Sequence, residues 1–236
     1  MRLFELAYAV RIYAQMTDYD SSLNRFRQAA DGGVDLRDPG QARACLVWLN
    51  AWGCRQFSVE HHDEAAAMLA NWWDEWAAKL PPQDVDLDAV DDGALLIASS
   101  AYGDLTQRQA GRRQLRDGRP SLVTVGPTGA AKVLYAVRPR VFPPWDDPIR
   151  KALGLDGGSR GYLRYLQDVR DQALALKAEA AAHGLDPAEL GRVLGRPVST
   201  LPRLIDEYNW VTITRGLRPP STDELHAWHR WAAPSP

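Results

Sequence analysis

The residues whose types and spacing best suit chemistry lie between positions 122 and 151. Leu122-Val123-Thr124-Val125-Gly126-Pro127-Thr128-Gly129-Ala130-Ala131-Lys132-Val133-Leu134 sets a tight glycine turn ahead of a helix start, and Asp146 follows Lys132 by fourteen residues. Backbone N–H groups exposed at such a start, together with the positive end of the helix dipole, attract phosphate. Gly126, Thr128, Gly129 and Lys132 are therefore candidate contacts to a nucleic-acid backbone, of a kind that holds the strand without reading its sequence. Asp146 has a simpler possible use, because an aspartate ahead of a Pro-containing helix start is a common cap worth about 1 kcal/mol.

Charge gives these residues a setting. The net charge of the 236-residue chain is −2, yet Arg108 to Arg164 holds twelve Lys or Arg against four Asp, a local +8 balanced by −10 elsewhere. A basic segment of this kind attracts phosphate. Arg112, Arg113, Arg116 and Arg119, just ahead of the glycine turn, are the candidate DNA contacts, with a plain solvated surface as the alternative. The two cysteines, Cys45 and Cys54, form no Cys-x-x-Cys pair, and neither His61-His62 nor His226-x-x-His229 is completed by carboxylates or thiols, so no metal and no cofactor are expected.

Several elements must position these residues. Apolar residues at helical spacing mark helices over 3–15 and 39–52, the second with Asp38 as cap and Pro39 in its first turn. A long helix runs from Ser58 to about Ala78, carrying Trp72, Trp73 and Trp76, and Pro81-Pro82 ends it. After the acidic stretch 84–92 and the apolar stretch 94–102, residues 103–120 are polar, basic and broken by Gly111, Gly118 and Pro120, where a helical hairpin is expected to begin. Helices follow over 127–137, 147–153 and from Ser159 to about His183. Two short helices around the Leu194-Gly195-Arg196-Pro197 turn have the outline of a helix-turn-helix or of ordinary helix packing. Helical spacing puts most of the tryptophans, Trp228 and Trp231 included, in the core.

The stretch from about Arg112 to Lys151 resembles the helix-hairpin-helix DNA glycosylase superfamily, which includes endonuclease III, the mismatch adenine glycosylase and the alkylbase glycosylases. There a Gly-x-Gly hairpin and a small-residue helix lead through a Pro-containing loop to a catalytic aspartate, and Pro143-Pro144-Trp145-Asp146-Asp147-Pro148-Ile149-Arg150 has that shape. The resemblance implies that Asp146 is catalytic, Asp147 its helix-capping neighbour and Ile149 the aliphatic residue that packs the next helix. A carboxylate suits the reaction because rupture of an N-glycosidic bond develops oxocarbenium charge on the sugar. Members that also cut the backbone carry a lysine two residues after the second hairpin glycine, where this chain has Thr128. That implies a monofunctional enzyme leaving an abasic site, with Lys132 a phosphate or structural contact unless it reaches in from one turn further on. Thr124 replaces the first hairpin glycine, the first hairpin helix is short and rich in Arg, and there is no four-cysteine tail.

A flipped base needs a flat partner, and Trp145, Trp48 and Trp52 are the candidates, Trp145 foremost because it adjoins Asp146. The expectation is an all-α protein of glycosylase-like architecture with a helix-hairpin-helix element, in three parts: a helical segment 1–100, the hairpin and catalytic loop 101–184, and C-terminal helices 185–236 packed on the same globule. It would flip a damaged or modified base from duplex DNA, including bulky modified cytosines of phage DNA in a defence role. A non-catalytic DNA-binding protein and a helical interaction module without nucleic acid are the alternatives. With no apolar run long enough to span a bilayer, the chain is expected to be a cytoplasmic, nucleoid-associated bacterial monomer with no membrane partner.

Overall fold

The computed structural model describes residues 1–30, 33–114 and 117–232, and the description below refers to these. Eleven α-helices and one pair of strands are formed among them: α1 Leu3–Met16, α2 Tyr19–Ala29, α3 Pro39–Ala51, α4 His62–Trp76, α5 Asp92–Gln107, β1 Gln109–Gln114, β2 Pro120–Thr124, α6 Gly126–Val137, α7 Asp147–Ala152, α8 Ser159–Ala182, α9 Leu190–Val193, α10 Leu201–Asn209 and α11 Thr222–Ala232. The fold is thus mainly helical. No helix is long and apolar enough to cross a membrane.

Local chemistry explains five of the eleven helix starts. Asp38 accepts from the Gln41 N–H at 2.9 Å and Asp91 from the Ala94 N–H at 2.8 Å, each satisfying an amide that the first helical turn leaves without a carbonyl. Proline occupies the first turn of α3, α6, α7 and α10, where its fixed φ favours the helix and its missing N–H costs nothing.

The segment expected to begin a helical hairpin folds instead as β1 and β2, an antiparallel pair with Arg112 opposite Leu122 and an irregularity between Gln109 and Gly111. Gly111 and Gly118, read as breakers of a helix, serve this hairpin: Gly118 takes φ +79°, and a Cβ at Gly111 would crowd the His61 ring at 3.2 Å. The hairpin leans on α4, and the Val125 N–H donates to the Arg108 carbonyl, closing its base directly before α6.

A continuous apolar core draws residues from Leu6 to Ile205 and so runs through all three stretches of the chain. The central helix α6 is buried from Gly129 to Val137 and packs on α5 and α3, while α8 packs on α5 and α10 on α1 and α8. α10 is buried along most of its length, so the Leu194–Pro197 turn leads into a packed helix, not into an exposed recognition helix. A π turn, Trp210–Thr214, continues α10. Trp72 and Trp73 are core residues as expected, but α11 has no buried residue, and Trp228 and Trp231 are 55% and 89% exposed. Helical spacing on a helix with nothing packed over it does not make a core.

Candidate active site

Five parts of the chain converge on one small cavity. α6 supplies Lys132, the loop into α7 supplies Pro144 and Asp146, α10 and its π extension supply Arg203, Asp206 and Trp210, and α1 and α3 supply Tyr13 and Trp52. Its volume is about 50 Å³, room for a few waters at most.

Lys132 and Asp146 meet there. Lys132 Nζ lies 3.2 Å from Asp146 Oδ1 and donates to the Trp52 carbonyl at 2.7 Å, with the ammonium 5.6 Å from the Trp52 ring centre. The lysine side chain is 7% exposed and the aspartate 31%, so the cation is the buried partner and the carboxylate looks outward. Asp146 takes the N-cap position of α7 in extended backbone, yet its side chain makes no capping hydrogen bond. One carboxylate oxygen pairs with Lys132 instead. Asp147 points to the surface and pairs with Arg150 and with Lys151, two hydrogen bonds that hold its carboxyl below the usual carboxylate range.

Beneath this pair lies a buried ionic chain. Arg203 is sandwiched between the rings of Tyr13 and Trp52, at 4.9 and 4.7 Å, donates to the Tyr13 hydroxyl at 2.6 Å, and pairs with Asp206 and with Glu207 at 3.4 Å. Glu207 in turn pairs with Arg196 at 2.6 Å, and Arg196 with Asp20. Burial pushes the Asp206 carboxyl up to about 7; Arg203 opposes this, and the neighbouring charge of Asp146 adds to it. Burial likewise pushes the Cys54 thiol, which senses both Lys132 and Asp146, up to about 11, so at neutral pH it is no thiolate nucleophile. Among the described residues no three His, Cys, Asp or Glu converge as a metal site would need.

Of the residues singled out in the sequence, the structure brings together Asp146, Lys132 and Trp52. Gly126, with φ +68°, and Thr128 form the start of α6 and are partly exposed. Gly129 is buried: a Cβ there would stand 2.6 Å from Gln56 Nε2, the group that donates to the Val125 carbonyl at 2.7 Å, so its lack of a side chain serves packing. Lys132 faces the cavity floor and not an outer strand. Trp145 is 1% exposed and packs among Tyr102, Tyr162 and Tyr165. Trp48 stacks on Phe26 within the core. Neither lines the cavity: adjacency to Asp146 in sequence places Trp145 on the opposite side of an extended backbone. Arg112 and Arg119 project from the hairpin, Arg112 3.9 Å from Glu64 and Arg119 2.7 Å from Asp117. Arg113 is on β1, and Arg116 lies outside the described residues.

Tyr13, Arg203, Asp206 and Trp210 were missed. Arg203, Asp206 and Trp210 do fall at i, i+3 and i+7, one helical face carrying a cation, an acid and an aromatic, which is the signal the sequence held.

Comparison with family models, with curated proteins and with solved structures finds no match to this chain.

A larger cavity, about 600 Å³, opens between α8 and the start of α10, lined by Asp86, Asp88, Arg140 and Lys177 among others. Lys177 pairs there with Asp88 at 2.7 Å and Arg140 with Asp86 at 2.9 Å, while Asp186, a third lining acid, accepts from the Ala188 N–H at 2.9 Å.

Proposed function

We propose that this protein is a DNA glycosylase that takes a damaged or modified base out of the duplex and hydrolyses its glycosidic bond at Asp146. The observation that carries the reading is the Asp146 carboxylate, released from capping α7 and held 3.2 Å from a buried lysine at an aromatic-walled cavity. A carboxylate so held remains available to stabilise oxocarbenium charge and to take a proton from attacking water. Tyr13 and Trp52 already hold the Arg203 guanidinium between their rings, so an extruded base would take its place there, beside Trp210. The cavity is too small for a base as it stands, so binding must part these side chains. On this reading the start of α6 at Gly126 would offer its amides to a phosphate and the β1–β2 hairpin would bring Arg112 and Arg119 to the duplex, although residues 109–124 pair as strands and do not form the first helix of a helix-hairpin-helix.

The position of Lys132 favours a second form of the same chemistry. Counting from Gly126 leaves Thr128 where a nucleophilic lysine is expected, but Lys132 reaches Asp146 from one turn further along α6. Its amine, giving a proton to Asp146, would bond to C1′ as the C1′–N bond to the base breaks, and opening of the C1′–O4′ bond would then leave an imine that permits strand cleavage.

The deciding experiment incubates the protein with duplexes carrying alkylated, oxidised, deaminated and bulky modified bases, phage-type cytosines included. Each reaction is developed with and without alkali, and with borohydride. Strand breaks that need alkali mean hydrolysis alone; a borohydride-trapped adduct lost in Lys132→Met means the lyase form. Asp146→Asn is expected to lower base release at least 10²-fold at unchanged DNA affinity. Binding without base release across the panel would make this a non-catalytic DNA-binding protein.

A further inference from the structure

We infer that Asp206 is a second catalytic carboxyl of this cavity, the acid that protonates the departing base. The inference rests on the glycosylase reading above and assigns to it a group that the sequence did not single out.

Asp206 lines the same cavity as Lys132, Asp146 and Trp52, on the α10 face that also carries Trp210. The two carboxyls differ in surroundings. Asp146 is partly exposed and ion-paired to Lys132, whereas the Asp206 side chain is 9% exposed, beneath the cavity and against Arg203. Two carboxyls set apart in this way divide the labour of glycoside cleavage, one anionic at the sugar and one protonated at the leaving group.

Every charged group around Asp206 bears on its proton. From α10 itself, Arg203 favours the anion and Glu207 disfavours it. Across the cavity, Asp146 disfavours the anion and Lys132 favours it. Tyr13 on α1, Tyr135 on α6 and Tyr165 on α8 also sense Asp206, and all three are neutral, each phenol raised above its usual range by burial. Burial outweighs the rest and pushes the carboxyl up to about 7 despite its pairing with Arg203.

The C1′–N bond breaks with its electron pair passing to the base, the Asp206 proton moves to a ring nitrogen or carbonyl oxygen of that base, and Asp206 becomes a carboxylate. Water or the Lys132 amine, giving a proton to Asp146, then bonds to C1′; after product leaves, Asp146 releases that proton to solvent and solvent returns one to Asp206. Bases that depart poorly as anions, meaning uncharged purines and pyrimidines, are the substrates that need this help; a base already cationic, such as an N7-alkylated guanine, does not.

The test is single-turnover base release from pH 5 to 9 on the substrate that the wild-type chain cleaves, comparing wild type with Asp206→Asn and Asp206→Glu, each checked for folding by thermal unfolding. The expected result is a wild-type rate that falls as pH rises through about 7, a 10²-fold or greater loss in Asp206→Asn with that alkaline limb gone, and the limb restored in Asp206→Glu. An alkaline limb unchanged in Asp206→Asn, or a rate within threefold of wild type, overturns the assignment while leaving the glycosylase reading intact. A wild-type chain that releases no base removes that reading and this one with it. Should Asp206→Asn fail to fold, carboxyl ¹³C titration of the wild-type chain decides: protonation of Asp206 near neutrality supports the assignment, and titration below pH 5 overturns it.

Discussion

At the scale of single residues, burial and pairing decide what each ionisable group can do. Lys132 and Arg203 are both buried cations, but Lys132 shares one exposed-side carboxylate and a carbonyl, whereas Arg203 is locked by Tyr13, Asp206 and Glu207 together. Asp206 has a thermodynamic consequence independent of catalysis. Its carboxyl is raised in the folded chain to about 7 from an ordinary 3.8, so between those values the folded state holds a proton that the unfolded state has released. Raising the pH through that window therefore favours unfolding. Wild type is expected to lose stability relative to Asp206→Asn from about pH 4 to about pH 7 and to run parallel to it above, the total change being on the order of a few kcal/mol. Urea unfolding of both proteins across pH 4 to 8 measures this, and curves parallel throughout would show that Asp206 titrates normally.

At the scale of elements, the site depends on helices whose starts are fixed by close backbone approaches. α8 begins over the turn at Asp156, where a Cβ on Gly161 would stand 2.2 Å from the Asp156 carbonyl oxygen, a backbone atom that cannot swing aside. Gly161→Ala is expected to destabilise the fold by about 1–3 kcal/mol, since the turn or the helix must shift. Thermal unfolding should show this as roughly 2–4 °C per kcal/mol for a chain of this size. A variant melting with wild type would mean the turn yields at no cost. The hairpin carries Arg112 and Arg119 on its exposed side. If Arg112 and Arg119 meet phosphates, each change to Ala should weaken binding to all duplexes alike and reduce the slope of log affinity against log salt by about 1. Unchanged slopes would take the hairpin out of the interface.

At the scale of the whole molecule, one core gathers residues from Leu6 to Ile205, and α11 stands outside it. A chain ending at Ser221 should therefore keep its melting temperature within about 2 °C, because no described residue of α11 is buried and little apolar area returns to water. A loss of 5 °C or more would show that α11 packs on the body in solution.

The helices were legible because their signals are local. The 3.6-residue apolar period, Asp38 as a cap and Pro127 in a first turn mark α1, α3 and α6 whatever the rest of the chain does. Asp146 and Lys132 were visible as candidate residues for the same reason, standing in a recognisable run of turn, helix and Pro-rich loop. Residues 109–124 were not legible as strands, since Arg-rich, Gly-broken sequence has no strong period and the pairing is set by the partner strand and by α4 beneath it. Nor could sequence tell which way side chains turn: Trp145 and Asp146 are neighbours on extended backbone, so one enters the core and the other the cavity. Above all, the cavity joins α1, α3, α6, α7 and α10 across some 200 residues of chain. That Asp146 faces Lys132, and that Asp206 lies beneath them, was decided only when the packing of those helices set their distances and took the charges out of water.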